Sequence, residues 1–248
     1  MTRTSTTLRF ALLLTAANAF LDAHTYIARG HVFANVQTGN VIFFAMDASE
    51  GHLVTALAHV WPILAFMAGV LLAAYLKAGR VNRHLAHPLR WTMLAQAVVL
   101  AVIGFVPASV PHTYVTVPIS FVAGIQIGLF RSIGDLVYIP LATTGNIMRL
   151  VESGYTGFVG REAAGRAAFG TYGLLTLFFA VGALIGAFAT RAMGVQAIWL
   201  PAALLAVTLV FFVVDERRGS SLRSCSPPGG GEHSTPHATV AMHPTRPD

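Results

Sequence analysis

The sequence predicts an all-α, polytopic integral membrane protein. Its mean hydropathy is +0.65, and only 10% of its 248 residues are charged, against about 25% in ordinary soluble domains. The apolar residues also fall in blocks, and a helix of roughly 20 such residues spans a hydrocarbon core about 30 Å thick. A soluble fold of this size would lack the polar surface to cover them. The lipid bilayer is therefore the first expected partner.

Eight apolar segments can be recognised along the chain. All are rich in Leu, Ala, Val, Phe and Gly, and their length favours helix over strand. The second and sixth are the weakest, because they are short, polar and interrupted by glycine. The segments cover approximately residues 10–28, 32–47, 55–77, 91–107, 113–133, 136–152, 167–190 and 195–214.

The second and sixth segments share a Thr-Gly-Asn motif, and further matches follow it in the same order. Phe66 matches Phe179, and Trp91 matches Trp199. Several matches in one order predict an internal duplication. The residues of the motif and its flank are Gln37, Thr38, Gly39 and Asn40 in the second segment, and Thr143, Thr144, Gly145 and Asn146 in the sixth.

The duplication divides the chain into three parts. Residues 1–112 form a first membrane repeat and residues 113–215 a second. The tail, 216–248, is rich in Ser, Pro, Gly and His, so it is expected to be disordered and cytoplasmic. The start of the chain imitates a secretory signal, but its apolar run belongs to the first repeat and is interpreted as a retained helix.

The distribution of Lys and Arg predicts the topology. If all eight segments crossed the bilayer, these residues would divide almost evenly between its two sides. If segments one and two together make one net crossing, and five and six likewise, only Arg29 and Arg191 lie outside. The positive-inside rule therefore favours about six net crossings, with both termini in the cytoplasm. Each half then crosses three times, so the two repeats are inverted and contain short broken or re-entrant helices.

The two Thr-Gly-Asn motifs are the candidate substrate-binding site. Short, glycine-interrupted segments at matching positions of inverted repeats are typical of transporter sites. Breaking a helix in the membrane frees backbone groups that persist only beside a cavity, protein or ligand. Gly39 and Gly145 would permit the break, and the positive helix end suits an anion. The alternative is tight helix packing, with Asn bonding across an interface.

Ionisable residues within apolar segments are rare, and Asp22 and His24 are two of them. Both are candidates for ion or proton coupling, and Asp22 is also a candidate for binding a cationic group. The alternative is that Asp22 pairs locally with Arg29 at the membrane edge. Asn18 and Gln126 are further polar residues that either face a cavity or bond between helices.

Four glycines form two pairs with the spacing of close helix contacts. Packing within the chain is the favoured interpretation, and an oligomer interface is the alternative. The residues are Gly124, Gly128, Gly182 and Gly186.

Several function classes are not expected. The basic residues sit in short clusters between apolar segments, which argues against nucleic-acid binding. Cys225 is the only cysteine, so neither an intrachain disulfide nor a thiolate metal site can form. No nucleotide-binding or hydrolase motif occurs. We therefore expect no enzyme activity, metal or cofactor.

One stretch of the first repeat resembles the YoaK-like family of bacterial inner-membrane proteins of unknown function. It runs from Asp22 through Tyr26, continues with Gly30 to Phe33, and ends at Gln37 to Asn40. The resemblance covers roughly residues 8–215. It implies an integral inner-membrane protein of about this size, and it brings no substrate or catalytic residue.

The function expected from these features is secondary transport, or a permease activity, for a small solute. The alternative is a non-transporting scaffold or accessory subunit. If the motifs bind solute, Asn40→Ala and Asn146→Ala should abolish transport and leave abundance intact. If the motifs are packing devices, the same changes should reduce the amount of folded protein.

Overall fold

The computed structural model describes residues 8–78, 88–129, 132–133, 136–137 and 143–224, and the structural statements below concern these residues. They are almost entirely helical. The α-helices are α1 (Leu8–Ala28), α2 (Gln37–Ser49), α3 (Leu53–Lys77), α4 (Pro88–Ile103), α5 (Thr113–Leu129), α6 (Thr143–Gly154), α7 (Ala163–Met193) and α8 (Trp199–Ser224). A π-helical turn, Tyr155–Val159, follows α6, and a 3₁₀ turn, Gly194–Ile198, joins α7 to α8.

Helices occur in all eight predicted segments, but their boundaries differ from the prediction by several residues, and three differences concern the site or the tail. The second segment was predicted as helix from residue 32, whereas α2 begins at Gln37. Strand β2 (Leu136–Val137) pairs with strand β1 (Ser132–Ile133) where helix was predicted. Helix α8 continues to Ser224, past the predicted start of the tail, and the rest of the tail lies outside the described residues.

The long helices pack in pairs, and each pair joins one helix from each half of the chain. Helix α1 packs along α7, and α5 packs along α3. The two short helices lie on their long neighbours, α2 on α3 and α6 on α7, while α4 contacts α8. The main core is formed by α1, α4, α5 and α8, and it includes the fully buried side chains Leu14, Met93, Ile119 and Leu205.

Glycines allow the two long pairs to approach closely. A β-carbon at Gly124 would collide with the carbonyl oxygen of Phe66 on α3. A β-carbon at Gly182 would collide with the backbone of Ala16 on α1. Gly128 lies against α3 in the same way, and Gly186 against α1. The favoured interpretation, packing within the chain, describes all four positions, while an oligomer remains a separate prediction.

The outward faces of the helices are apolar. Val54 is 87% exposed, Leu71 is 71% exposed and Phe188 is 65% exposed. Helix α3 and the helical stretch 163–211 are long and apolar enough to cross a membrane by length and composition. Large exposed apolar surface marks a membrane or partner interface, and here it covers helices that are long enough to span hydrocarbon.

Candidate functional site

The chain reverses direction after α1, and α2 then begins in the protein interior. The reversal uses positive φ angles at Gly30 (72°) and His31 (61°). The backbone N–H groups of Asn35 and Val36 donate to Asp22 Oδ1 at 2.9 and 3.3 Å. Val36 immediately precedes α2, so the Asp22 carboxylate lies at the positive end of that helix. These bonds explain why helix begins only at Gln37.

Asn40 fastens the same loop from the other side. Its Oδ1 accepts the backbone N–H of Phe33 at 2.9 Å, and its Nδ2 donates to the Phe33 carbonyl at 2.7 Å. Nδ2 also lies 2.9 Å from Gln37 Oε1. Asn40 is fully buried. Its amide therefore stabilises the reversal of the chain.

The loop before α2 is also bonded to two long helices. The backbone N–H of Ala34 donates to Thr25 Oγ1 on α1 at 3.2 Å. The Ala34 carbonyl accepts Ser120 Oγ of α5 at 2.5 Å and Gln37 Nε2 at 3.0 Å. The start of α2 is thus held by α1 and α5 together.

Aromatic rings cover the loop. Phe33 stacks on Tyr26 with ring centroids 5.0 Å apart and on Phe43 at 5.9 Å. Phe43 in turn lies 5.6 Å from His59, whose Nε2 is 3.2 Å from Asp47 Oδ2. The rings extend the anchoring of α2 onto α3.

The start of α6 has different described neighbours. Thr143 Oγ1 is buried and has no hydrogen-bond partner within the described residues. Asn146 is buried, whereas a β-carbon at Gly145 would meet nothing within 4 Å. Residues 138–142, which precede α6, lie outside the described part of the chain.

The first residues of α2 and of α6 line the same cavity, which has a volume of about 740 Å³. It lies between α1, α2, α3, α5, α6 and α7. Of the predicted binding residues, Gln37, Thr38, Thr143 and Thr144 line it, as does Asp22. Gly39, Asn40, Gly145, Asn146 and His24 are not among its lining residues. The remaining walls are formed by Ala19, Ala23, Tyr26, Ile27, Phe33, Asn35, Val36, Phe66, Ile127, Phe179, Ala183 and Ala187.

Asp22 is the charged group of the described lining. Its side chain is 4% exposed, and Oδ2 has no hydrogen-bond partner within the described residues. Burying a carboxylate is costly unless it is paired or hydrogen-bonded. Oδ1 meets that need through the two backbone N–H groups, while Oδ2 leaves it unmet.

His24 is turned toward α7. Its Nδ1 lies 3.0 Å from Thr190 Oγ1, and that hydroxyl donates its proton to the Gly186 carbonyl at 2.7 Å. The hydroxyl can then only accept from His24, so Nδ1 carries the ring proton of the neutral side chain. His24 therefore binds α7 and does not share the cavity with Asp22.

Arg29 does not pair with Asp22. Its guanidinium donates to the carbonyls of Val106 at 2.9 Å and Pro107 at 3.2 Å, in the connection between α4 and α5. Beside it, His112 covers Gly30 so closely that a β-carbon there would overlap the imidazole ring. Burial, and then the charge of Arg29, lower the pKa of His112. These contacts bind the end of α1 to the connection between α4 and α5. The Asp22 carboxylate therefore lies on the cavity wall without Arg29 as a partner.

Other polar residues bond between helices. Asn18 Nδ2 donates to Gln126 Oε1 at 3.0 Å, and Gln126 Nε2 donates to Gln96 Oε1 at 2.5 Å. These contacts join α1, α5 and α4, so Asn18 and Gln126 follow the interhelical alternative.

The aromatic wall of the cavity, which consists of Tyr26, Phe33, Phe66 and Phe179, was not predicted from the sequence. Phe66 and Phe179 line the cavity, and they already stand out in the sequence as matching positions of the predicted repeat. That match was the available signal. Asn35, which also lines the cavity, gives no comparable signal.

Apolar helix faces around an interior with polar groups define a helical membrane protein. The chain belongs to the family described as "Protein of unknown function (DUF1275)", whose model matches residues 10–211. It is similar to the UPF0700 transmembrane protein YoaK of Bacillus subtilis (strain 168), with 26% identity over 204 residues that cover 80% of this chain and 90% of that protein. The predicted resemblance is thereby confirmed. No solved structure matches significantly.

Proposed function

We propose that the protein is a secondary transporter or permease for a small solute, which it binds in the cavity between the starts of α2 and α6. One observation carries the proposal. A single cavity is lined by Thr38 of one Thr-Gly-Asn motif and Thr144 of the other, next to the half-bonded carboxylate of Asp22. Membrane transporters place binding sites where discontinuous helices meet. The proposed role is binding and transport, without catalysis.

The packing of the helices supports the internal repeat that this proposal includes, and the inversion of the two halves remains part of the proposal. In the predicted repeat, α1 corresponds to α5 and α3 corresponds to α7. The pair of α1 with α7 therefore corresponds to the pair of α5 with α3, and both pairs are present in the structure. Gly69 and Gly182, at matching positions of the two halves, both lie at these crossings. On this proposal the halves are interleaved. Six net crossings in the inner membrane, with both termini in the cytoplasm, complete it.

A scaffold or accessory subunit is the second candidate. The bonds of Asn40 favour it, because they all serve the reversal of the chain before α2. A scaffold needs no route through the cavity, whereas a transporter must open the cavity to each side of the membrane in turn. Access to the cavity therefore discriminates between the two functions.

Thiol accessibility tests this without knowledge of the solute. In a Cys225→Ser background, Thr38→Cys and Thr144→Cys place single thiols on the cavity wall. We expect a membrane-impermeant maleimide to label both in right-side-out and in inverted vesicles. Labelling from one side only, or from neither, would exclude transport through this cavity. Thr208→Cys is the control, because Thr208 is buried on α8 and bonds within its own helix.

A further inference from the structure

We propose that the cavity binds a small primary ammonium compound, with its N–H groups on Asp22 Oδ2 and its apolar part against the aromatic wall. This inference rests on the proposed function, because it names the ligand class of the same cavity.

The lining of the cavity carries a negative charge. Asp22 is the only Asp, Glu, Lys, Arg or His in the described lining of the cavity. The positive end of α2, which would otherwise suit an anionic solute, already faces the protein's own carboxylate. A second anion would meet that buried carboxylate, and like charges repel strongly where one of them is shielded from water. A cation would instead supply the missing partner of Oδ2.

Hydrogen bonding narrows the class of cation. Oδ2 of Asp22 and Oγ1 of Thr143 are buried oxygens without partners within the described residues. A primary ammonium group presents N–H donors that can reach more than one acceptor. A quaternary ammonium group has no such donor.

The remaining walls suit an apolar substituent with a positive charge nearby. The rings of Tyr26, Phe33, Phe66 and Phe179 line the cavity, and alanines of α1 and α7 complete it. Aromatic faces attract cations, and they also bury hydrocarbon. A volume of 740 Å³ lies within the range of small-molecule sites.

Calorimetric titration of the purified full-length protein in lipid nanodiscs tests the ligand class. The probes are butylammonium, butanol and butyrate, which differ chiefly in charge and head group. We expect saturable binding of butylammonium alone. Asp22→Asn keeps an oxygen for the N–H groups of Asn35 and Val36 and removes the charge, so we expect affinity to fall about ten- to hundredfold. Asp47→Asn, which changes a carboxylate bound to His59 outside this cavity, should leave affinity unchanged.

Equal binding of butanol or butyrate, saturable binding of tetramethylammonium or sodium in place of butylammonium, or undiminished affinity in Asp22→Asn would overturn the inference. If Asp22→Asn does not fold, the probe series on the native protein decides. Failure of the two proposals can be told apart. Selective ammonium binding with thiols labelled from one side only would refute transport and keep the ligand class. Labelling from both sides without selective ammonium binding would refute the ligand class and keep the transport proposal.

Discussion

The two Thr-Gly-Asn segments have the same short sequence and different surroundings. At the start of α2, Gly39 lies under the ring of Phe33, and Asn40 binds both backbone groups of that residue. At the start of α6, a side chain at Gly145 would meet open space, and the hydroxyl of Thr143 has no partner within the described residues. A repeated motif therefore need not do the same work twice.

The described neighbours of the two segments differ. The first segment is fixed to α1 and α5 through Asp22, Thr25 and Ser120. It presents Thr38 to the cavity beside this hydrogen-bonded loop. The second segment presents Thr144 to the same cavity with open space beside Gly145.

The largest effect is expected from Asn40→Ala. The substitution leaves the part-buried N–H and C=O of Phe33 without their side-chain partner, and such groups cost up to about 1–3 kcal/mol each. We expect a clear fall in the apparent melting temperature and in the yield of folded protein. Ser49→Ala, an exposed change at the other end of α2, is the control and should have little effect. A stable Asn40→Ala protein that has lost only solute binding would return Asn40 to the binding site.

Smaller effects on stability are expected at the two motif glycines. Alanine should destabilise the protein at Gly39 and stabilise it at Gly145. In Gly39→Ala the new β-carbon lies 2.6 Å from the ring of Phe33, which is itself packed against Tyr26 and Phe43. Overpacking of this kind costs about 1–3 kcal/mol. Gly145→Ala meets nothing and gains up to about 1 kcal/mol of helix propensity. Thermal unfolding of both variants measures the contrast, and equal destabilisation would refute it.

The sequence predicts the long helices well, because the length of an apolar block reflects the thickness of the bilayer. It also predicts that the helices before Asn40 and Asn146 are interrupted, since glycine and polar residues there are incompatible with an ordinary lipid-facing helix. The cavity lined by Thr38 and Thr144 agrees with the expected meeting of the two motifs.

The bonding within the site could not be predicted in the same way. Asp22 binds residues beyond a reversal of the chain, and that path depends on positive φ angles at Gly30 and His31. The sequence therefore offers Arg29 as a plausible partner for Asp22, whereas Arg29 binds backbone carbonyls. Likewise, nothing local shows that Asn40 faces Phe33 and Thr38 faces the cavity.

The smallest effects are expected at Thr38→Val and Thr144→Val, because the two segments each place a threonine on the cavity wall. Both threonines are exposed on the cavity wall, so replacing a hydroxyl by a methyl group should leave the melting temperature almost unchanged. An exposed hydroxyl exchanges a bond to water for a bond to the ligand, so each such bond contributes a net of about 0.5–1.5 kcal/mol, and we expect roughly two- to tenfold weaker butylammonium binding in each variant. Calorimetry and thermal unfolding of the same preparations separate the two quantities. A loss at Thr38 alone would place the ligand on the anchored segment, and only a loss at both would show that the two segments share it.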